Sequence, residues 1–182
     1  MEEYVFAEQV KKHFHYLINE YGFSVIDERY DAEAFGNSLV QFQSSTVDLS
    51  IILDRGQVLI DLGPYPQSPD YRFGLVSVIE FLAPEADEPA YIFPETWDNY
   101  YDMIDWQVTR LARVLQQYCA PVLRGEFSQW KEMAERRRKE ARDTYRALTG
   151  KDPIEITSKE LAEKVEKEEE RRRYRALTDK DL

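Results

Sequence analysis

Between Val47 and Leu62 apolar residues hold alternate positions, at Val47, Leu49, Ile51 and Leu53 and again at Val58, Ile60 and Leu62, on either side of Asp54-Arg55-Gly56. A period of two sends successive side chains to opposite faces of an extended chain, so each segment reads as a strand with one buried face. Gly56 accepts the positive φ that a tight reversal needs, and the spacing predicts an antiparallel hairpin closed by the three-residue loop Asp54-Arg55-Gly56. An isolated hairpin is marginal in water. The rest of the chain has to supply the surfaces that cover this one.

Those surfaces are visible as apolar stripes. Phe6, Val10, Phe14, Leu17, Ile18 and Tyr21 recur at helical spacing and predict one helix over residues 3–21, stopped at Gly22. Short alternating runs beginning at Phe23 and from Ser38 to Gln43 predict two strands before the hairpin. Four strands joined by connections too short for crossovers make an antiparallel meander. Pro64, Pro66 and Pro69 exclude helix and central strand. Asp70 is placed to cap a helix over Tyr71–Leu82, in which Leu75, Val76, Ile79 and Leu82 share a face. A longer stripe, Ile104, Val108, Leu111, Leu115, Tyr118 and Val122, predicts a helix over residues 99–123 that Pro121 kinks or ends. The fold class is α+β: an N-terminal helix, a four-stranded antiparallel meander, and helices packed on the sheet.

Residues 1–124 form this body, and residues 125–182 read as a charged helical arm. Phe127, Trp130 and Met133 carry a narrow stripe for two turns, after which Glu135 to Asp143 offers almost nothing to bury. Within the arm, Arg142 to Asp152 and Arg171 to Asp181 match at eight of eleven positions and share Tyr-Arg-Ala-Leu-Thr-x-Lys-Asp. Each copy sets a Tyr and a Leu three residues apart, Tyr145 with Leu148 and Tyr174 with Leu177, on one face of a helix. A duplicated docking element is one reading. Two helix ends without a binding role is the other.

Charge separates the same two parts. Residues 1–124 hold 8 Lys/Arg against 20 Asp/Glu, whereas residues 125–182 hold 16 against 15, within a net charge of −11. An acidic body repels phosphate backbones, which excludes nucleic acid as its partner and favours a cationic protein. No apolar run approaches the about 20 residues that span a bilayer, and Met-Glu-Glu does not begin a signal peptide, so no membrane partner and a cytoplasmic location are expected. The single cysteine, Cys119, sits on an apolar helical position and reads as a buried, inert thiol.

Catalytic and cofactor signatures are sparse. His13 and His15, the only histidines, point about 200° apart on a helix and cannot share a metal; His13 is expected to be solvated. There is no glycine-rich phosphate loop, nucleophile elbow or His-Glu-x-x-His, and no cofactor is expected. Asp48, Asp54 and Asp61 could gather a divalent ion, yet Asp48 and Asp61 lie on the polar faces of their strands and Asp54 in the turn. Solvation of a half-exposed sheet predicts that pattern by itself.

The surface richest in binding chemistry is Glu85 to Trp106. It interleaves Asp98, Asp102 and Asp105 with Trp97, Tyr100, Tyr101 and Trp106. Aromatic rings anchor interfaces and the carboxylates around them steer basic partners. Tyr100 and Tyr101 cannot both face inward on one helix. A small acidic α+β chain with a Tyr100-Tyr101-Asp102 patch resembles the immunity proteins that neutralise bacterial toxins, and similar uncharacterised bacterial proteins. The resemblance covers residues 1–124; the repeated arm departs from it. It implies a non-enzymatic inhibitor that blocks a toxic enzyme by binding. An adaptor or assembly subunit that binds through the arm is the alternative, and an enzyme built on the hairpin carboxylates stands third.

Overall fold

The predicted hairpin is the centre of a five-stranded antiparallel sheet in a computed structural model that describes residues 3–33, 36–66, 71–86 and 99–151. Strands β1 (Ser24–Asp31), β2 (Asn37–Gln43), β3 (Val47–Asp54), β4 (Gln57–Pro64) and β5 (Phe73–Gly74) pair in chain order. Helices α1 (Glu3–His13) and α2 (His15–Tyr21) precede the sheet. Helices α3 (Leu75–Leu82), α4 (Tyr100–Tyr118), α5 (Ala120–Leu123) and α6 (Trp130–Thr149) follow it. The chain divides into two compact units, Met1–Lys131 and Glu132–Leu182.

In the first unit the registers stack the alternating apolar residues into cross-strand rows. Val40 lies opposite Ile51 and Ile51 opposite Ile60; in the next row Phe42, Leu49, Leu62 and Phe73 face one another across four strands. All seven are buried. Helix α1 brings Phe6 and Val10 to this face, and Phe14 follows, its ring 6.5 Å from that of Phe42. Helix α4 adds Ile104, Val108, Leu111 and Leu115, all buried. Burying each such side chain contributes roughly 1.5–3 kcal/mol, so these rows dominate the stability of the unit.

Four local expectations are corrected. The hairpin loop has two residues, because Asp54 pairs with Gln57 and leaves Arg55 (φ 48) and Gly56 (φ 85) in left-handed conformations. That is a type I′ turn, whose twist matches that of the strands. The first helix breaks at Phe14: Phe14 and Tyr16 are both buried, and residues two apart on a straight helix point about 200° away from each other. The break turns Ile18 outward, 44% exposed, although it belongs to the sequence stripe. Phe73–Gly74 is a fifth strand opposite Asp61 and Leu62, so the sheet exceeds the expected four and the next helix starts at Leu75 with Gly74 as its cap. Pairing puts the Phe73 side chain in the core row, and the extended backbone this requires excludes a helix beginning at Tyr71. Asp70, the expected cap, lies outside the described residues. Pro121 ends the long helix as expected: α4 stops at Tyr118, and α5 restarts with Pro121 in its first turn.

Behind α5 the chain passes close to the β2–β3 turn. Gly125 has φ +87, and a Cβ there would stand 2.5 Å from Thr46 Oγ1. Two independent constraints therefore require glycine. Trp130, the first residue of α6, packs edge-on against Phe73 and Phe127 and donates its indole N–H to the Tyr71 carbonyl at 2.6 Å. In the second unit α6 carries ion pairs on its own surface, Arg136 with Glu140 and Arg146 with Asp143. Gly150 (φ +69) closes the helix by donating to the Arg146 carbonyl.

Replacing Gly125 with Ala is expected to cost about 2 kcal/mol or more in chemical denaturation, from the left-handed backbone and the Thr46 contact together. In a Thr46→Ala background the 2.5 Å contact with Oγ1 is gone, and the backbone strain with the 3.0 Å approach to the residue-46 Cβ remains, so the cost shrinks. Equal costs in the two backgrounds would show that Thr46 does not press on this position.

Candidate functional site

The start of α4 is built by its own sequence, Asn99-Tyr100-Tyr101-Asp102. Asn99 stands at the N-cap and its side-chain oxygen accepts from the Asp102 amide at 2.9 Å, while its Nδ2 donates to Asp102 Oδ2 at 2.7 Å. The cap satisfies one of the backbone donors that a helix start leaves open, and the side-chain bond holds a carboxylate at the positive end of the helix dipole. Tyr100 and Tyr101 occupy the first turn, 48% and 43% exposed, with ring centroids 6.0 Å apart and planes at 72°. Neither ring faces inward.

A buried glutamine sets what lies beside them. Gln107, 3% exposed, accepts from the Val58 amide and donates to the Gly56 carbonyl, each at 2.9 Å. Those bonds fasten the β3–β4 turn to α4. A Cβ on Gly56 would stand 3.6 Å from Cε2 of Tyr100 and 3.4 Å from the Met103 methyl. The turn adds charge of both signs to the aromatic pair. Arg55 pairs with Asp54 at 3.2 Å, and Asn37 braces the turn, donating to Asp54 Oδ1 and accepting from the Arg55 amide. The hydrogen bond from Arg55 holds the Asp54 carboxyl below its ordinary range. One surface thus presents Tyr100, Tyr101, Asp102, Asp54 and Arg55.

The remaining expected site residues are dispersed. Asp105 lies one turn along α4, with His13 Nε2 3.3 Å from its Oδ1. His13 is part-buried and also meets the Thr109 hydroxyl, so it is not the solvated residue expected. Trp106 stacks under Arg110, whose guanidinium carbon is 5.2 Å from the ring centroid. In the second unit Tyr145 is half-buried and Leu148 is 81% exposed near the end of α6. Asp98, Tyr174 and Leu177 lie outside the described residues, as does the second copy of the repeat.

The hairpin carboxylates divide in an unexpected way. Asp48 is not solvated: it is 3% exposed, bonded by Gln41 Nε2 to both oxygens, and 3.5 Å from Arg72 Nη1. Arg72 also donates to Ser50 Oγ and reaches to 4.0 Å of Asp61. A buried carboxylate persists only when paired and hydrogen-bonded, and Arg72 with Gln41 supplies both. This arrangement ties the β4–β5 connection to the sheet. Among the described residues no group of three or more His, Cys, Asp or Glu could hold a metal ion. Cys119 is buried, and desolvation pushes its thiol up to about 12, which withholds the reactive thiolate at neutral pH.

Composition pointed to the tyrosines, but the turn and Gln107 were missed. A signal existed for the glutamine: position 107 falls on the apolar stripe between Ile104 and Leu111, where a polar side chain needs buried partners. No family model, no curated protein and no solved structure matches the chain. Among the described residues, no helix is long and apolar enough to cross a membrane.

Two outcomes follow from this geometry. Gln107→Leu strands the Val58 amide and the Gly56 carbonyl, so denaturation is expected to show a loss of about 2 kcal/mol and hydrogen exchange a faster Val58 amide. In a carbon-13 titration of the Asp54 carboxyl, Arg55→Gln moves the midpoint up. With its folded value depressed, the group stabilises the fold above its unfolded value and loses that contribution as pH falls through the folded one. A midpoint unmoved by the substitution would remove Arg55 as the cause.

Proposed function

We propose that this protein is a non-enzymatic protein-binding module that captures its partner on the surface made by Tyr100, Tyr101, Asp102 and the Asp54–Gly56 turn. The observation that carries the reading is the exposure of two adjacent tyrosine rings on a backbone fixed from both sides, by the Asn99 cap and by Gln107. Large amphipathic rings on a rigid support lose little conformational freedom when they bind, which is how aromatic anchors contribute affinity. The acidic balance of residues 1–124 steers a cationic protein toward the rings. Arg55 gives the surface one positive group, so the fitting partner is basic overall with a carboxylate or carbonyl opposite the turn.

Within that reading the role is that of an inhibitor, as in the immunity proteins that the body resembles, and the partner is a toxic enzyme made harmless by occlusion. No cofactor takes part. The function is exercised in the cytoplasm.

A second reading makes the arm the binding element and the chain an adaptor. It is favoured by Leu148, a large apolar side chain left 81% exposed beside Tyr145 in the first copy of the repeat. Capture from cell extract followed by mass spectrometry, with wild type, Tyr100→Ala/Tyr101→Ala and a chain lacking residues 154–182 that also carries Tyr145→Ala and Leu148→Ala, separates the two. Under the first reading the tyrosine variant loses the wild-type partner, with affinity reduced about thirtyfold or more for a pair of anchors, while the shortened chain retains it. The reverse result transfers the function to the arm.

A further inference from the structure

Strand β1 is an edge of the sheet, paired with β2 on one side only among the described residues. Proteins commonly protect such edges with bulges and charges, and β1 has both: the register shifts at Ile26, and Asp27-Glu28-Arg29 follows. The charges are not of a kind that repels every strand. From Ile26 to Tyr30 the sequence Ile-Asp-Glu-Arg-Tyr is complementary to itself when reversed about Glu28. In an antiparallel pairing of two copies centred there, Asp27 stands opposite Arg29 of the second copy, and Ile26 opposite Tyr30 of the second copy. Each pairing occurs twice, and each is attractive.

The observed geometry supports that alignment in three ways. Asp27 and Arg29 pair in register with Gln41 and Leu39, which puts both on the same face of the sheet. They already attract each other along the strand at 2.6 Å, so the four charges of two paired copies would alternate in sign around a square. Glu28, which would meet its own copy at the centre, is held by Lys11, whose Nζ lies 3.1 and 3.0 Å from its two carboxylate oxygens. That neutralises the one like-charged contact. The edge is also open: Ile26 is 49% exposed and the Arg29 side chain 73%.

We propose that β1 pairs antiparallel with β1 of a second copy of this chain, centred on Glu28, joining the two sheets into one. The pattern selects its own copy over other extended segments, since a strand lacking acid and base at these offsets adds no ion pair across the interface to Asp27 or Arg29. A two-fold axis through the centre makes the interface isologous, so each contact is repeated.

Sedimentation equilibrium on the full chain, from about 1 μM to about 1 mM at about 0.15 M salt, tests this. The wild type is expected to show a reversible monomer–dimer equilibrium within that range. Asp27→Arg alone and Arg29→Asp alone each set like charges opposite one another twice, and each should weaken dimerisation about tenfold or more. The double variant Asp27→Arg/Arg29→Asp restores it. A second measurement needs no variant: the amides of residues 24–31 should exchange more slowly at high protein concentration than at low. A wild type monomeric throughout, a dimer indifferent to the single reversals, or a dimer without added protection of β1 would each overturn the proposal.

Discussion

The contact on which the rest depends is the row Phe42, Leu49, Leu62 and Phe73, four side chains facing one another across β2 to β5. It crosses four of the five strands, and both α1 and α4 contact the sheet that carries it. Its existence explains why two residues are enough for β5. Phe73 completes the row, and burial of an aromatic ring offsets the cost of a strand that makes almost no ladder. It also explains why the first helix bends at Phe14, since a straight helix could deliver Phe14 or Tyr16 to the interior but not both.

Much of this was legible in periodicity. The hairpin, the antiparallel order of the first four strands and the buried stripe of α4 all follow from spacing, because side-chain direction in a strand or helix is a local property. What spacing could not supply depends on distant partners. Asp48 looks like a solvated strand position until Arg72, from beyond three prolines, arrives over it. Phe73–Gly74 is extended because Asp61 and Leu62 are there to pair with it, and nothing within those two residues says so. The loop length of the hairpin turned on whether Asp54 pairs with Gln57, a choice settled by strand twist.

The candidate surface divides along the same line. That Tyr100 and Tyr101 lie in a helix start could be read from Asn99-Tyr-Tyr-Asp102. That the β3–β4 turn lies beside them could not, since it depends on a glutamine reaching from α4 to two backbone groups of the hairpin. The addition changes the chemistry of the surface. An acidic, aromatic patch becomes one with a guanidinium at its border, held in place by a left-handed arginine that the turn would more readily accept as Asn or Gly.

Charge then ranks what such a molecule can meet. Two bodies that each hold 20 acidic against 8 basic residues repel at distances where only net charge is felt. Self-pairing can rely only on contacts within a few ångströms, which is where an alternating row such as Asp27 and Arg29 acts and where screening is least effective. A basic partner is instead drawn in from a Debye length away and arrives oriented toward the acidic side. The tyrosine surface and the β1 edge therefore suit different encounters, the first fast and governed by ionic strength, the second slow to form and governed by register.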